Sequence, residues 1–358
     1  MMLPRDLPVG EVLDYARRAD TLGFDELWVV EDLGYRGGIA QAGSVLAATS
    51  RIVVGIGILP AGARNAAFAA MELATLAQLF PGRVIAGIGH GMPDWMRQAG
   101  AWPASPLTLL EEFTVAVRAL LRGEPGPAAG RYVNVEGVII GEIPEVVPPV
   151  VLGVRGPKSI ALAGRASDGV LLAEPAAPPY IEAAIHQMGV PSSPSWPPVA
   201  TISTREAAAT GQAAGTAWAE RGESTRGTTG TVRGDGGGSG LEVITYDAAV
   251  VGVDGVAARE LVRPGLAWIG EPDWAPHLAP MPFADAIARH RKVSESPERF
   301  AESMDDEWVR ALSLAGTADE VREQIGARHA AGATSVVLIP AETDRLGSLE
   351  RLGQVLRS

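Results

Sequence analysis

The sequence predicts an α/β fold, a (β/α)8 TIM barrel with a truncated first strand and an irregular insertion. Three observations predict it. Between Leu22 and Gly91 the chain runs helix end, strand, helix, strand, helix, strand, with chemistry-capable residues at the strand ends. The segment VPPVVLGVRGPKSIALAGRASDGVLLAEP repeats the pattern. Apolar runs along the whole chain amount to seven clear strands and one stub. Each crossover returns the chain to the same edge of the sheet, so the strands run parallel beneath helices.

Taken in order, the first helix spans about Val9 to Leu22, with Val9, Val12, Leu13, Ala16 and Leu22 on one stripe. Only MMLP precedes the loop RDLPV ahead of it, so either the first strand is a stub or the gene start is called too late. GFDELWVVED is the next strand and ends on Glu31 and Asp32. An alanine-rich helix covers Ile39 to Thr49, followed by a strand from Ile52 to Leu59. Asn65 is a candidate cap for the third helix, in which Met71, Leu76 and Leu79 recur at helical spacing. Val84 to Gly89 is a strand, and Thr108 with Glu111 reads as a capping box for a helix ending near Arg122. A strand to Val154, a helix opened by Pro157 and a strand from Val170 to Ala173 form the second informative unit. EVITYDAAVVGV, the helix GVAARELV, a Thr317/Glu320 capping box, a helix stop at Gly332, the strand SVVLIP and a helix from Leu346 complete the chain.

A single domain over residues 1–358 is expected, with 189–241 as a low-complexity insertion. That stretch has few large apolar side chains and no clean periodicity. It reads as a substrate lid or as a segment with no specific role.

The totals exclude several classes. A formal charge of −12 with scattered Lys and Arg argues against a nucleic-acid groove. With no cysteine there is no disulfide framework, thiolate metal site or cysteine nucleophile. No run of about 20 apolar residues marks a membrane span, so a cytoplasmic protein is expected. GIGHG is not followed by the helix a dinucleotide fingerprint requires. The five histidines show no metal-ligand spacing.

In parallel barrels the functional groups gather at the carboxyl ends of the strands. That directs attention to Glu31 and Asp32, where adjacent carboxylates push one pKa up, and to the glycine-ended strands. It also selects Arg155, Gly156, Pro157, Lys158 and Ser159: glycine permits close approach, the helix start offers N–H donors, and two cations add charge. A plain helix start with solvated cations is the alternative. Arg36 and Arg64 sit in loops at the same mouth, as substrate or cofactor contacts or as solvated surface groups. Trp95 and Trp102 are candidates for a pocket wall or for loop anchoring.

LGFDELWVVED, SRIVVGIGILPAGARNAAFAAMELATLAQLFPGRVIAGIGHG and GVRGPKSIALAGRASDGVLL together resemble the luciferase-like superfamily of flavin- and deazaflavin-dependent oxidoreductases. The resemblance runs from about Leu3 to Val190 and resumes at Glu242. It implies a luciferase-like barrel that holds a flavin or deazaflavin ring at its carboxyl-terminal mouth. A non-prolyl cis peptide in the third strand would be Gly57–Ile58, a bulge supporting the ring. Where the family has an acidic residue and then a histidine, this chain has Glu31 and Asp32. His90, after Gly89 at the end of the fourth strand, takes the place of an arginine near the cofactor phosphate in several relatives; it is a phosphate contact, an acid–base group or a loop-bonded histidine.

The leading expectation is an oxidoreductase using coenzyme F420, with hydride moving to or from a small organic substrate and a proton supplied by Asp32, Glu31 or His90. The alternatives are an FMN-dependent monooxygenase served by a separate flavin reductase, and a non-catalytic flavin-binding barrel. A homodimer is the expectation the family carries.

Overall fold

The structure, a computed structural model, describes residues 1–189 and 240–357. Its strands are β1 Glu26–Val29, β2 Val53–Pro60, β3 Val84–Gly89, β4 Val150–Gly153, β5 Gly169–Leu172, β6 Glu242–Val251, β7 Leu314–Gly316 and β8 Ser335–Pro340. β1 to β6 pair in chain order, and β6 then pairs with β8. All the pairings are parallel.

The stub closes the ring. Met2 N donates to Leu338 O at 2.9 Å, while Leu3 N donates to Trp28 O and Trp28 N to Met1 O, both at 2.8 Å. The expected ring of seven strands and a stub is therefore present as β1 to β6, β8 and Met1–Leu3. β7 lies outside it. The long β6 accommodates both neighbours, pairing with β8 over Ile244 to Ala249 and with β7 over Ala249 to Val251.

Both faces of these strands are apolar because both are covered. Trp28, Ile85, Val151, Leu171, Ile244, Tyr246 and Val337 fill the barrel interior. Leu27, Val29, Val54, Ile56, Ala86, Leu152 and Val170 belong to the layer packed against the helices. Several helix ends are set by sequence. Gly23, at φ 98°, stops Val12–Leu22; Asn65 Oδ1 accepts from Ala67 N at 2.8 Å and starts Ala66–Leu79. The Thr317/Glu320 capping box starts Ala318–Ala330.

Some elements differ from the sequence expectation. The Thr108/Glu111 box does not form. Pro106 opens its helix earlier, Ser105 is the cap residue, Thr108 Oγ1 bonds Ser105 Oγ at 2.8 Å, and Glu111 pairs with Arg165. Proline at the first helical position has already fixed the start, which leaves Thr108 inside the helix. Val9 lies in a 3-10 turn and is exposed. In Ala66–Leu79 it is the small residues Ala69, Ala70, Ala74 and Ala77, with Leu73 and Leu76, that face the core, whereas Met71 and Leu79 are exposed. Between β6 and β7 the chain adds the helices Ala284–Val293, Pro297–Glu302 and Asp306–Ala311, which no periodicity announced. The insertion expected at 189–241 falls almost wholly outside the described residues.

Candidate active site

The mouth is shaped by β2. Its register against β3 shifts between Ile56 and Leu59, and the Gly57–Ile58 peptide bond is cis, as the resemblance implied. The bulge turns the Ile58 side chain toward the neighbouring strand ends. A Cβ on Gly89 would collide with Ile58 Cδ1, and one on Gly153 with Ile58 Cγ2. The glycines that end β3 and β4 are thus the room into which Ile58 packs. Below, the Tyr246 ring meets Trp28 edge-on at 5.8 Å, and its hydroxyl lies against Gly57.

The carboxylate pair after β1 divides. Glu31 is held from two sides, by Arg64 Nη1 and Nη2 at 2.8 and 3.0 Å and by Gly38 N at 2.7 Å. It ties two loops and a helix start together. Asp32 accepts from Arg5 Nη1 at 2.6 Å, and its charge acts on Tyr246 and on Glu174. Arg36 is engaged by Gln41 and by the carbonyls of Pro4, Arg5 and Leu7, so like Arg64 it holds loops. Trp102 stacks on Arg97 and, with Arg64, Asn65 and Tyr132, lines a cleft of about 330 Å³ among the loops after β2 and β3.

His90 and Ser159 come together. His90 Nε2 lies 3.1 Å from Ser159 Oγ, while Nδ1 is buried near Pro106 without hydrogen-bond geometry to it. Burial holds the imidazole below its ordinary pKa, so it is neutral at pH 7. Ser159 stands in the first turn of Pro157–Ala166, whose cap residue Gly156 offers no side chain; the N–H groups of Lys158 and Ser159 have no intrahelical acceptor. Arg155 stacks on Trp274 at 4.9 Å, and its carbonyl accepts from the Tyr180 hydroxyl at 3.2 Å. The guanidinium is therefore positioned before any anion arrives, whereas Lys158 is exposed.

Four residues were not singled out from sequence. Glu174 follows β5 as Asp32 follows β1, and the same strand-end rule applied to VLLAEP would have found it. Tyr246 and Asp247 are polar members of an apolar strand, the usual mark of a group with a task. His277 comes from the irregular segment after β6, where no signal pointed to it. Its ring stacks on Tyr180 at 4.4 Å and Nδ1 donates to Pro175 O at 3.1 Å.

A parallel barrel with a bulged third ring strand, an isoleucine packed against two strand-end glycines and a cationic helix start is the frame of this mouth. Residues 2–189 match the family model described as luciferase-like monooxygenase, and the chain belongs to that family. It is 31% identical over 174 residues to a 5,10-methylenetetrahydromethanopterin reductase of Methanolobus tindarius, covering 48% of this chain and 52% of the relative. It is 30% identical over 174 residues to an F420-dependent glucose-6-phosphate dehydrogenase of Microbacterium testaceum, covering 45% of this chain and 52% of the relative. These matches span about half the length of the curated relatives. The coenzyme F420 dependent tetrahydromethanopterin reductase of Methanopyrus kandleri shares the fold at a TM-score of 0.71 and 20% identity, covering 99% of this chain and 96% of that one.

Proposed function

We propose that the chain is an oxidoreductase that holds coenzyme F420 at the carboxyl-terminal mouth and moves a hydride to or from a small organic substrate. The observation that carries this reading is the Ile58 shelf beside the Arg155 helix start. A planar cofactor with a phosphate needs an apolar backing and an anion-binding end, and the chain provides both: Ile58 packed into the space of Gly89 and Gly153, and the open first turn at Pro157. The similarity to an F420-dependent dehydrogenase supports the deazaflavin over FMN.

When bound, the deazaflavin supplies or accepts the hydride. The protein's part is positioning and protons. Arg155, Lys158 and the N–H groups of Lys158 and Ser159 hold the phosphate, with Gly156 and Pro157 shaping the turn. Neutral His90 orients the Ser159 hydroxyl. Gly57 and Ile58 back the ring, and Gly89 leaves room for them. Asp32 and His90 are the proton-exchange groups of this reading, while Glu31, with both oxygens engaged, sets the loop that carries Asp32.

Among the described residues no helix is long and apolar enough to cross a membrane, and the assembly proposed is a cytoplasmic homodimer. Phe68, Met71 and Leu79 support it, lying exposed along one face of Ala66–Leu79. The test is a fluorescence-quenching titration with coenzyme F420 and, separately, with FMN. Preference for F420 is expected. Preference for FMN with oxygen consumption would move the assignment to a monooxygenase with a separate reductase, and binding of neither would leave a non-catalytic barrel.

A further inference from the structure

The excursion between β6 and β7 contains a 3-10 turn, Pro272–Trp274, that runs into the short helix Ala275–Leu278. His277 seats this segment on the barrel. Its ring, 0% exposed, lies on Tyr180 with the centroids 4.4 Å apart, and Nδ1 donates to Pro175 O at 3.1 Å. Tyr180, itself buried, donates its hydroxyl to the Arg155 carbonyl at 3.2 Å. Trp274 stands three residues before His277 and packs partly against the core. The Arg155 guanidinium carbon lies over its ring, 4.9 Å from the centroid. Arg155 is thus held at its backbone by Tyr180 and at its side chain by Trp274, and both contacts trace to the segment 272–278.

The contrast with Arg5, Arg36 and Arg64 is direct. Arg5 pairs with Asp32, and Arg64 spans both oxygens of Glu31. Arg36 is taken up by Gln41 and by the carbonyls of Pro4, Arg5 and Leu7. Among the described residues the guanidinium of Arg155 has no carboxylate or carbonyl partner, and the Trp274 ring is what meets it. An aromatic face attracts a cation without supplying a hydrogen-bond acceptor that would occupy its N–H donors. The side chain is therefore restrained while its donors stay open. A long side chain restrained in advance loses less freedom when an anion docks on it, and the difference appears as affinity.

Resting on the cofactor reading above, we infer that Trp274 is a positioning residue of the anion-binding end: its ring holds the Arg155 guanidinium ready for the cofactor phosphate, and the segment 272–278, seated by His277 on Tyr180, is the element that carries it. Trp274 acts through Arg155 alone in this role. Removing the ring should weaken ligands that carry the phosphate and spare those that lack it, which loss of packing would not do.

The full chain is titrated with coenzyme F420 and with its deazaflavin riboside, which has the ring but no phosphate, by quenching of the deazaflavin fluorescence. Trp274→Ala is expected to weaken coenzyme F420 about tenfold, in the range of a partly desolvated cation–π contact. Riboside affinity should stay within about twofold of wild type, because no phosphate is there for Arg155 to meet. Trp274→Phe keeps an aromatic face and should recover most of the loss. In an Arg155→Met background Trp274→Ala should cost less than about twofold more, since the group it positions is gone. Equal weakening of coenzyme F420 and riboside, or full additivity of Trp274→Ala with Arg155→Met, overturns the assignment. If the riboside binds wild type too weakly to titrate, the cycle with Arg155→Met decides alone. Failure of the wild type to bind coenzyme F420 overturns the cofactor reading and this inference with it, whereas failure of the variants to behave as expected overturns only the inference.

Discussion

The Tyr246 hydroxyl occupies the space that a Cβ on Gly57 would need. This contact joins β2 to β6 across the barrel interior and fixes the floor of the mouth. Gly57→Ala is expected to destabilise the chain by about 1–3 kcal/mol, the usual penalty for overpacking. Tyr246→Phe should recover only part of it, because the ring carbon Cζ is itself 3.0 Å from the same position. Urea denaturation of the two single variants and the double variant gives the coupling between them, and additive effects would refute the contact.

The same reasoning applies one strand on. Gly153 is open because Ile58 fills the space beside it, so Gly153→Ala must move Ile58 and tilt whatever it supports. Coenzyme F420 binding is expected to weaken about tenfold, equivalent to 1.4 kcal/mol. Quenching titrations measure it. Unchanged affinity would mean that Ile58 does not back the ring.

Arg328 and Asp247 are an ion pair with 2% and 0% side-chain exposure. Asp247 Oδ1 also accepts from Ala176 N at 3.2 Å, so the pair sets the course of the chain just after Glu174. Arg328→Met leaves the carboxylate buried without its partner, and breaking such a pair costs about 3–5 kcal/mol. The urea midpoint should fall accordingly. Asp247→Asn with Arg328→Met should lose less than Arg328→Met alone, because no bare charge is then left inside.

The parallel ring was legible because its strands are buried on both faces and read as continuous apolar runs, and because Gly23, Asn65 and Thr317 mark helix ends by local chemistry. The helix start at Pro157 was legible for the same local reason. Glu31 was not separable from Asp32 by sequence, since only the fold shows that Arg64 and Gly38 converge on the first of them. Met71 and Leu79 misled as core markers because the inner face of their helix is built from alanine, which allows close packing on the barrel. His277 and Trp274 reach the site from a segment without periodicity, and nothing short of the tertiary structure brings them to Arg155 and Tyr180.

His277 makes the stability of this wall depend on pH. The ring is fully buried, donates from Nδ1 to Pro175 O, and has no partner on Nε2 among the described residues. Burial is the main cause that lowers its pKa from 6.5 to about 4. The sign follows from proton counts. Between pH 6.5 and about 4 the unfolded chain binds this proton and the folded chain does not, so stability falls as pH drops through that window. Above pH 6.5 both states are neutral and the contribution is whole. The loss amounts to about 3 kcal/mol at the low end, from the free energy of a one-unit shift. His277→Phe keeps the stacking on Tyr180, leaves the Pro175 carbonyl without its donor and lowers stability at pH 7. It should also flatten the decline in melting temperature between pH 6.5 and 4 relative to wild type. Parallel curves for the two proteins would show that His277 is already charged in the folded state, and that its Nε2 has found an acceptor the buried ring does not otherwise reach.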